Sequence, residues 1–155
     1  DYVIGDARLT LNRQPDAQYD ILLIDAFSSD AVPAHLLTVE AIRMYLAKLK
    51  PNGILVLHLS NRNLNLRGPA ISGAIAAGGF PLLQLHTADD RLPPMWESDE
   101  HAVIVARSAA ALEAFKRDPQ WQTADAKGAR PWTDDYTNLF GALMARLQDQ
   151  WSGRW

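Results

Sequence analysis

Residues 19–37 read YDILLIDAFSSDAVPAHLL. Four apolar residues, Ile21 to Ile24, run directly into Asp25; a short loop then delivers Asp30, and Pro33 opens a helical pattern. An unbroken apolar run that ends in a carboxylate and turns into a helix is the pattern of a buried parallel strand in an α/β sheet. Open sheets of this kind bind ligands at the carboxyl ends of their strands. Asp25 therefore stands where such a sheet does its chemistry, with Asp30 as a second carboxylate just beyond it.

Working outward, strand and helix patterns alternate. Tyr2 to Ile4 is strand-like and leads into Gly5-Asp6-Ala7-Arg8, with one or two helical turns over residues 7–13. Residues 33–49 carry apolar side chains at helical spacing, and Pro51-Asn52-Gly53 reads as a turn because Pro fixes one φ and Asn-Gly accepts positive φ. Ile54 to Leu59 is the next buried strand. A small-residue helix over 68–77 ends at Gly78-Gly79, a helix-stop signal. Strands follow at 82–86 and 102–106, separated by a loop holding Pro93, Pro94 and Trp96. A helix over 109–117, a polar stretch to Arg130, and an amphipathic helix over 136–150 complete the chain. This alternation predicts an α/β fold with a mainly parallel sheet and flanking helices; the last two strands, joined without a helix, read as parallel or as antiparallel neighbours. The organisation is one α/β domain over residues 1–118, with a C-terminal loop and helix over 119–155 packing on it.

The 155 residues suffice for about one domain with a real core. A net charge of −3 leaves no electrostatic footprint for nucleic acid. Cysteine is absent, which excludes disulfides and thiolate metal sites and fits a reducing cytosol. No apolar run approaches a membrane span. The chain opens at Asp1 in a strand-like stretch and reads as cut from something longer.

Several residues carry chemistry, each with a structural alternative. Asp25 has apolar walls behind it, so its pKa can rise and it can act as a general base; with Asp30 it can also hold an amine cation. Asp30 equally suits a helix cap, as does Asp6 beyond the first strand-like stretch. His58 lies near a strand's carboxyl end, where a hydrogen-bonded structural role competes with a functional one. Asp134-Asp135 suits the first turn of the last helix, with Thr133 as its cap. Trp96 is either a lid aromatic facing a cation or a packing anchor. The four histidines are scattered with no metal-ligand spacing, so no metal is expected. Neither G-x-G-x-x-G nor a phosphate-binding loop is present.

Taken together, these residues resemble the spermidine synthase family, the polyamine aminopropyltransferases, and most closely its bacterial spermidine synthase-like domains. Gly5-Asp6-Ala7 resembles that family's Gly-Asp-Gly motif, Tyr19 to Asp25 its strand ending in the catalytic Asp, Ser28-Ser29-Asp30 its following Ser-Ser-Asp, and Pro51 to Leu55 its turn into the next strand. The resemblance runs from about Tyr2 to Arg107. It implies a partial Rossmann-like fold of the class I S-adenosylmethionine-dependent methyltransferase type, with strand order 3-2-1-4-5-7-6 and the first two strands missing. It implies aminopropyl transfer from decarboxylated S-adenosylmethionine, the co-substrate, to a polyamine such as putrescine. Asp25 would be catalytic, Asp30, His58 and Trp96 would bind substrate, and Gly5, Asp6 and Ala7 would bind the co-substrate. A cytoplasmic location, or the soluble part of a membrane-fused parent, goes with it.

The departures are equally specific. Ala26 and Phe27 are inserted after Asp25, His58 stands where many members carry Gln, and Trp96 falls near the usual late-loop Tyr. The glycine-rich loop and the ribose-holding acid lie on the two missing strands. Two further readings stay open: a non-catalytic binding or assembly module, and an S-adenosylmethionine-dependent methyltransferase. Without strands 1 and 2, the 19–24 strand becomes a long apolar edge, which pairs across a homodimer, takes the N-terminal strand into the gap, or leaves that strand poorly ordered. The chain alone is expected to bind S-adenosyl compounds weakly or not at all.

Overall fold

The computed structural model describes residues 2–27, 32–89, 91 and 99–151. Five strands form one sheet in the order β1-β2-β4-β3-β5: β1 Tyr19–Ile24, β2 Leu49–His58, β3 Phe80–His86, β4 Glu100–Ala106 and β5 Trp121–Thr123. The helices are α1 Ala7–Asn12, α2 Val39–Lys48, α3 Arg67–Ala76, α4 Glu113–Lys116 and α5 Leu139–Trp151. Short 3₁₀ turns, Ala34–Leu36 and Ala109–Leu112, lead into α2 and α4.

β1 and β2 pair in parallel, joined through α2. β4 pairs antiparallel with both β2 and β3, and β5 antiparallel with β3. β2 and β3 thus run the same way but do not touch, because the α3 crossover leaves a gap one strand wide. β4 returns from β3 without a helix and fills it. Expectation and outcome differ here: β1, β2 and β3 share a direction, yet three of the four pairings are antiparallel, since β4 runs against both of its neighbours and β5 against β3. Mapped on the implied order, the four longer strands stand as 4-5-7-6.

The core explains the apolar runs. Ile24, Leu55, Leu57, Val103 and Val105 pack on one face against Ile42, Tyr45, Leu46, Ile71 and Ala74 of α2 and α3. On the other face Ile54, Leu82, Ile104 and Ala106 pack with Leu112 and Phe115. β2 and β4 are covered on both faces and lack polar alternation for that reason. β1 is different. Its Tyr19, Leu22 and Ile24 join the first core, but Ile21 and Leu23 remain 68% and 56% exposed. Strand 19–24 is therefore buried on one face only, because the α4 layer reaches over β2, β4 and β3 and stops short of the edge.

Three further readings are revised. Residues 2–4 form no strand, and Tyr2, Val3 and Ile4 are exposed; with no neighbouring strand there, their pattern has nothing to pair with. Pro51-Asn52-Gly53 is not a free turn: it lies in an irregularity of β2, where the register jumps from Tyr19 opposite Leu49 to Ile21 opposite Ile54. Gly53 is required there, since a Cβ would stand 2.7 Å from the Tyr19 carbonyl oxygen. The long helix expected from Pro33 begins at Val39, with Thr38 Oγ1 accepting from the Ala41 amide at 3.2 Å. The stop after α3 is as expected, with Gly78 at φ +87°.

Candidate functional site

The carboxyl ends of β1 and β2 lie side by side, and the register decides what meets there. Ile24 stands opposite Leu57, so Asp25, the next residue, falls beside His58. On the other flank His58 pairs with Ala102 of β4, and Leu59 donates its amide to the His101 carbonyl, which brings Glu100 up beside Ser60. Alternation along the strands puts Asp25, His58, Ser60 and Glu100 on one face.

These side chains form a connected array. His58 Nδ1 meets Asp25 Oδ1 at 2.8 Å, and its Nε2 makes a close contact with Glu100 Oε2. Ser60 Oγ donates to the same Glu100 oxygen at 2.8 Å and accepts from the His101 amide at 2.9 Å. Asn61 Nδ2 donates to the Phe27 carbonyl and its Oδ1 accepts the amides of Asn63 and Leu64, so it pins the chain leaving β2 against the chain leaving β1. Burial, the largest single influence on His58, disfavours its charged form. The hydrogen bonds and negative charges of Asp25 and Glu100 together outweigh it and raise the imidazole pKa above its ordinary value. An imidazolium between two carboxylates carries one net negative charge, and the Asp25 carboxylate stays half exposed to solvent.

Asp25 stands half exposed, in a wetter setting than the apolar run of its strand suggested. Glu100 was not anticipated. It arrives from a strand more than forty residues away, and its local signal is only a carboxylate opening an apolar run. Asp30 and Trp96 lie outside the described residues. Among the described residues no group of His, Asp or Glu is placed to hold a metal ion, each nitrogen of His58 being engaged by a carboxylate.

The expected co-substrate residues lie elsewhere. Gly5, at φ +147°, turns the chain into α1; Asp6 caps that helix, accepting from Leu9 N at 2.9 Å, and Ala7 is its first residue. The cap, ahead of the His35 imidazole 3.1 Å from the other oxygen, lowers the Asp6 pKa. Asp6, Arg8, His35 and Glu40 border a cleft of about 500 Å³. Asp134, read before as a helix-start residue, instead takes Arg8 in a two-pronged ion pair with both contacts at 2.7 Å and accepts from Thr38 Oγ1 at 2.8 Å. α5 starts later, at Leu139, with Asn138 Oδ1 accepting from Gly141 N at 2.8 Å.

Among solved structures the chain is similar to a probable spermidine synthase from Corynebacterium glutamicum ATCC 13032, with 19% sequence identity and a TM-score of 0.58 over 88% of this chain and 55% of that one. MNMC2 from Aquifex aeolicus covers 97% of this chain and 44% of its own length at 16% identity and a TM-score of 0.48. No protein-family profile and no curated protein matches the sequence. The first likeness establishes the fold: a partial Rossmann-like, methyltransferase-type α/β sheet spanning about half the length of that neighbour. Among the described residues no helix is long and apolar enough to cross a membrane.

Proposed function

We propose that this chain carries the amine-acceptor side of a spermidine synthase-like aminopropyltransferase, acting within a longer protein. The observation that carries the reading is the Asp25–His58–Glu100 array at the carboxyl ends of β1 and β2. Its net negative charge suits a polyamine cation such as putrescine, and its position is where open α/β sheets bind ligands.

In the reaction an amine nitrogen attacks the carbon beside the sulfonium of decarboxylated S-adenosylmethionine. A C–N bond forms, the C–S bond breaks, and its electron pair returns to sulfur, releasing methylthioadenosine. The amine first loses a proton from its ammonium form. Asp25 takes that proton or stabilises the developing ammonium, and His58, held by both carboxylates, fixes the Asp25 carboxylate in position. Asp30 and Trp96 complete the acceptor side in this proposal. On the adenosine side this chain supplies Gly5, Asp6 and Ala7, of which Asp6 is engaged in a helix cap, so residues 1–155 by themselves are expected to be inactive.

The test is methylthioadenosine release from putrescine and decarboxylated S-adenosylmethionine by the full-length protein. Asp25→Asn should lower kcat by about 100-fold or more, and unchanged turnover would remove Asp25 from the mechanism. His58 in place of the family's Gln and the inserted Ala26 and Phe27 allow a second reading, a non-catalytic binding or assembly module. Calorimetric binding of the co-substrate without product would establish that reading instead.

A further inference from the structure

The hydrogen bonds around His58 fix where the protons of the array stand. Ser60 Oγ lies 2.9 Å from the His101 amide and 2.8 Å from Glu100 Oε2. An amide N–H only donates, so that contact uses a lone pair of Oγ and leaves the single hydroxyl proton for Glu100. An ionised carboxylate only accepts. Glu100 Oε2 therefore takes the Ser60 proton and a second one from His58 Nε2. Asp25 Oδ1, 2.8 Å from Nδ1, likewise needs a proton on the nitrogen it faces. With both carboxylates ionised, both ring nitrogens are donors, and only the imidazolium has that form.

The chain of contacts is anchored in backbone. The His101 amide belongs to β4, the middle strand, which pairs with both β2 and β3. From it Ser60, then Glu100, then His58 are held in turn, and Asp25 comes last. Among the described residues, the titratable groups flanking His58 on its face of the sheet are Asp25 after β1, Glu100 on β4 and, opposite Glu100 in the register, His86 on β3. A Gln at position 58, as many members of the resembling family carry, has a donor for one carboxylate but brings no charge to hold two.

We propose that Ser60 and Glu100 are positioning residues acting through His58: they keep its ring doubly protonated and turned to Asp25, so that Nδ1–H occupies Oδ1 and Asp25 meets the acceptor through Oδ2 as a fixed charge, not as a base. The proposal rests on the acceptor-side reading of Asp25. Hydrogen bonding from a cation favours the ionised form of a carboxylate and makes it a poor proton acceptor. The acceptor's ammonium group instead gives its proton to water, which reaches the half-exposed Asp25. The free amine then attacks, the C–N bond forms, the C–S electron pair returns to sulfur, and Asp25 holds the positive charge that the nitrogen regains.

Proton NMR of the 155-residue chain tests the placement of the protons without any turnover. At about pH 7, where an ordinary histidine has lost most of its charge, both ring N–H protons of His58 should be seen. Ser60→Ala should speed exchange of Nε2–H with water at least about 10-fold, and Ser60→Thr, which keeps the hydroxyl, should leave it slow. Circular dichroism shows whether the variants fold; Glu100→Gln gives the same readout if Ser60→Ala does not. A single ring proton in the wild-type chain, or an Nε2–H indifferent to both substitutions, overturns the inference. In the full-length protein, kcat/KM for putrescine should climb about tenfold per pH unit while His58 stays charged, following the free amine. A level profile there would mean that Asp25 carries the proton, and overturns the inference too. No methylthioadenosine from the wild-type protein would dismiss the aminopropyltransferase reading alone, and the ring protons would still decide whether Ser60 and Glu100 hold His58.

Discussion

At the scale of single residues, His58 holds the site together. Its imidazole joins carboxylates from two strands that never pair with each other, Asp25 after β1 and Glu100 in β4. Because that environment raises its pKa, nitrogen-detected NMR should find His58 titrating above about 6.5. Asp25→Asn and Glu100→Gln should each bring it down, and a titration below 6.5 unmoved by either change would dissolve the array as an electrostatic unit. The linkage has a definite sign. A pKa higher in the folded than in the unfolded chain adds stability that is full below the unfolded value and is lost as pH rises through the folded one. Asp25 and His58 were both visible in the sequence because each closes an apolar strand. Glu100 and Ser60 were not, since what makes them partners is an antiparallel register set between residues forty apart, and nothing local to either encodes it.

At the scale of elements, β1 and β2 are locked by their irregular start. Gly53 approaches the Tyr19 and Asp20 carbonyl oxygens and Leu49 Cβ so closely that any side chain must displace backbone. Gly53→Ala should cost about 1–3 kcal/mol, read as a lower urea midpoint at unchanged m-value. A midpoint within error of the original would mean that the irregularity yields freely. The sequence showed this segment as a turn, because Pro-Asn-Gly has turn chemistry whether it joins two elements or bends one. Helix existence was similarly readable while helix starts were not: α2 begins at its Thr38 cap rather than at Pro33, and α5 at Asn138 rather than at Asp134. At α5 a tertiary partner took the nearer candidate, Arg8 binding Asp134, and at α2 a local 3₁₀ turn absorbed residues 34–36.

At the scale of the whole molecule, the α/β class and the succession of the longer elements follow from apolar periodicity, and the pairing order does not. Two marginal segments also escaped: residues 2–4 have a strand's composition without a neighbour, and Trp121–Thr123 has a neighbour in β3 but only three residues, bounded by a polar stretch, to announce it. Acid should find the joint between sheet and α5 first. His101 is pushed down to about 4, chiefly by burial and then by the charges of Arg67 and Arg146. A neutral buried histidine leaves stability intact above its unfolded pKa and withdraws it as pH falls toward the folded one. Unfolding free energy should therefore decline between about pH 6.5 and 4, and His101→Gln should flatten that decline. An unchanged pH profile in the variant would assign the acid sensitivity to other groups.

The reversed strand in the middle of the sheet has a consequence in time. During synthesis β1, α2, β2, α3 and β3 emerge before β4, and in the finished sheet β2 and β3 are not hydrogen-bonded to each other. A nascent chain ending before Glu100 therefore holds a β1–β2 pair and a solitary β3, with an empty lane between them. Val103, Ile104 and Val105 close that lane, joining the two cores in one step, and Glu100 completes the charged array in the same movement. A chain that has not yet placed β4 has the Asp25–His58 meeting at the ends of β1 and β2 but lacks Glu100 and the join between the two cores.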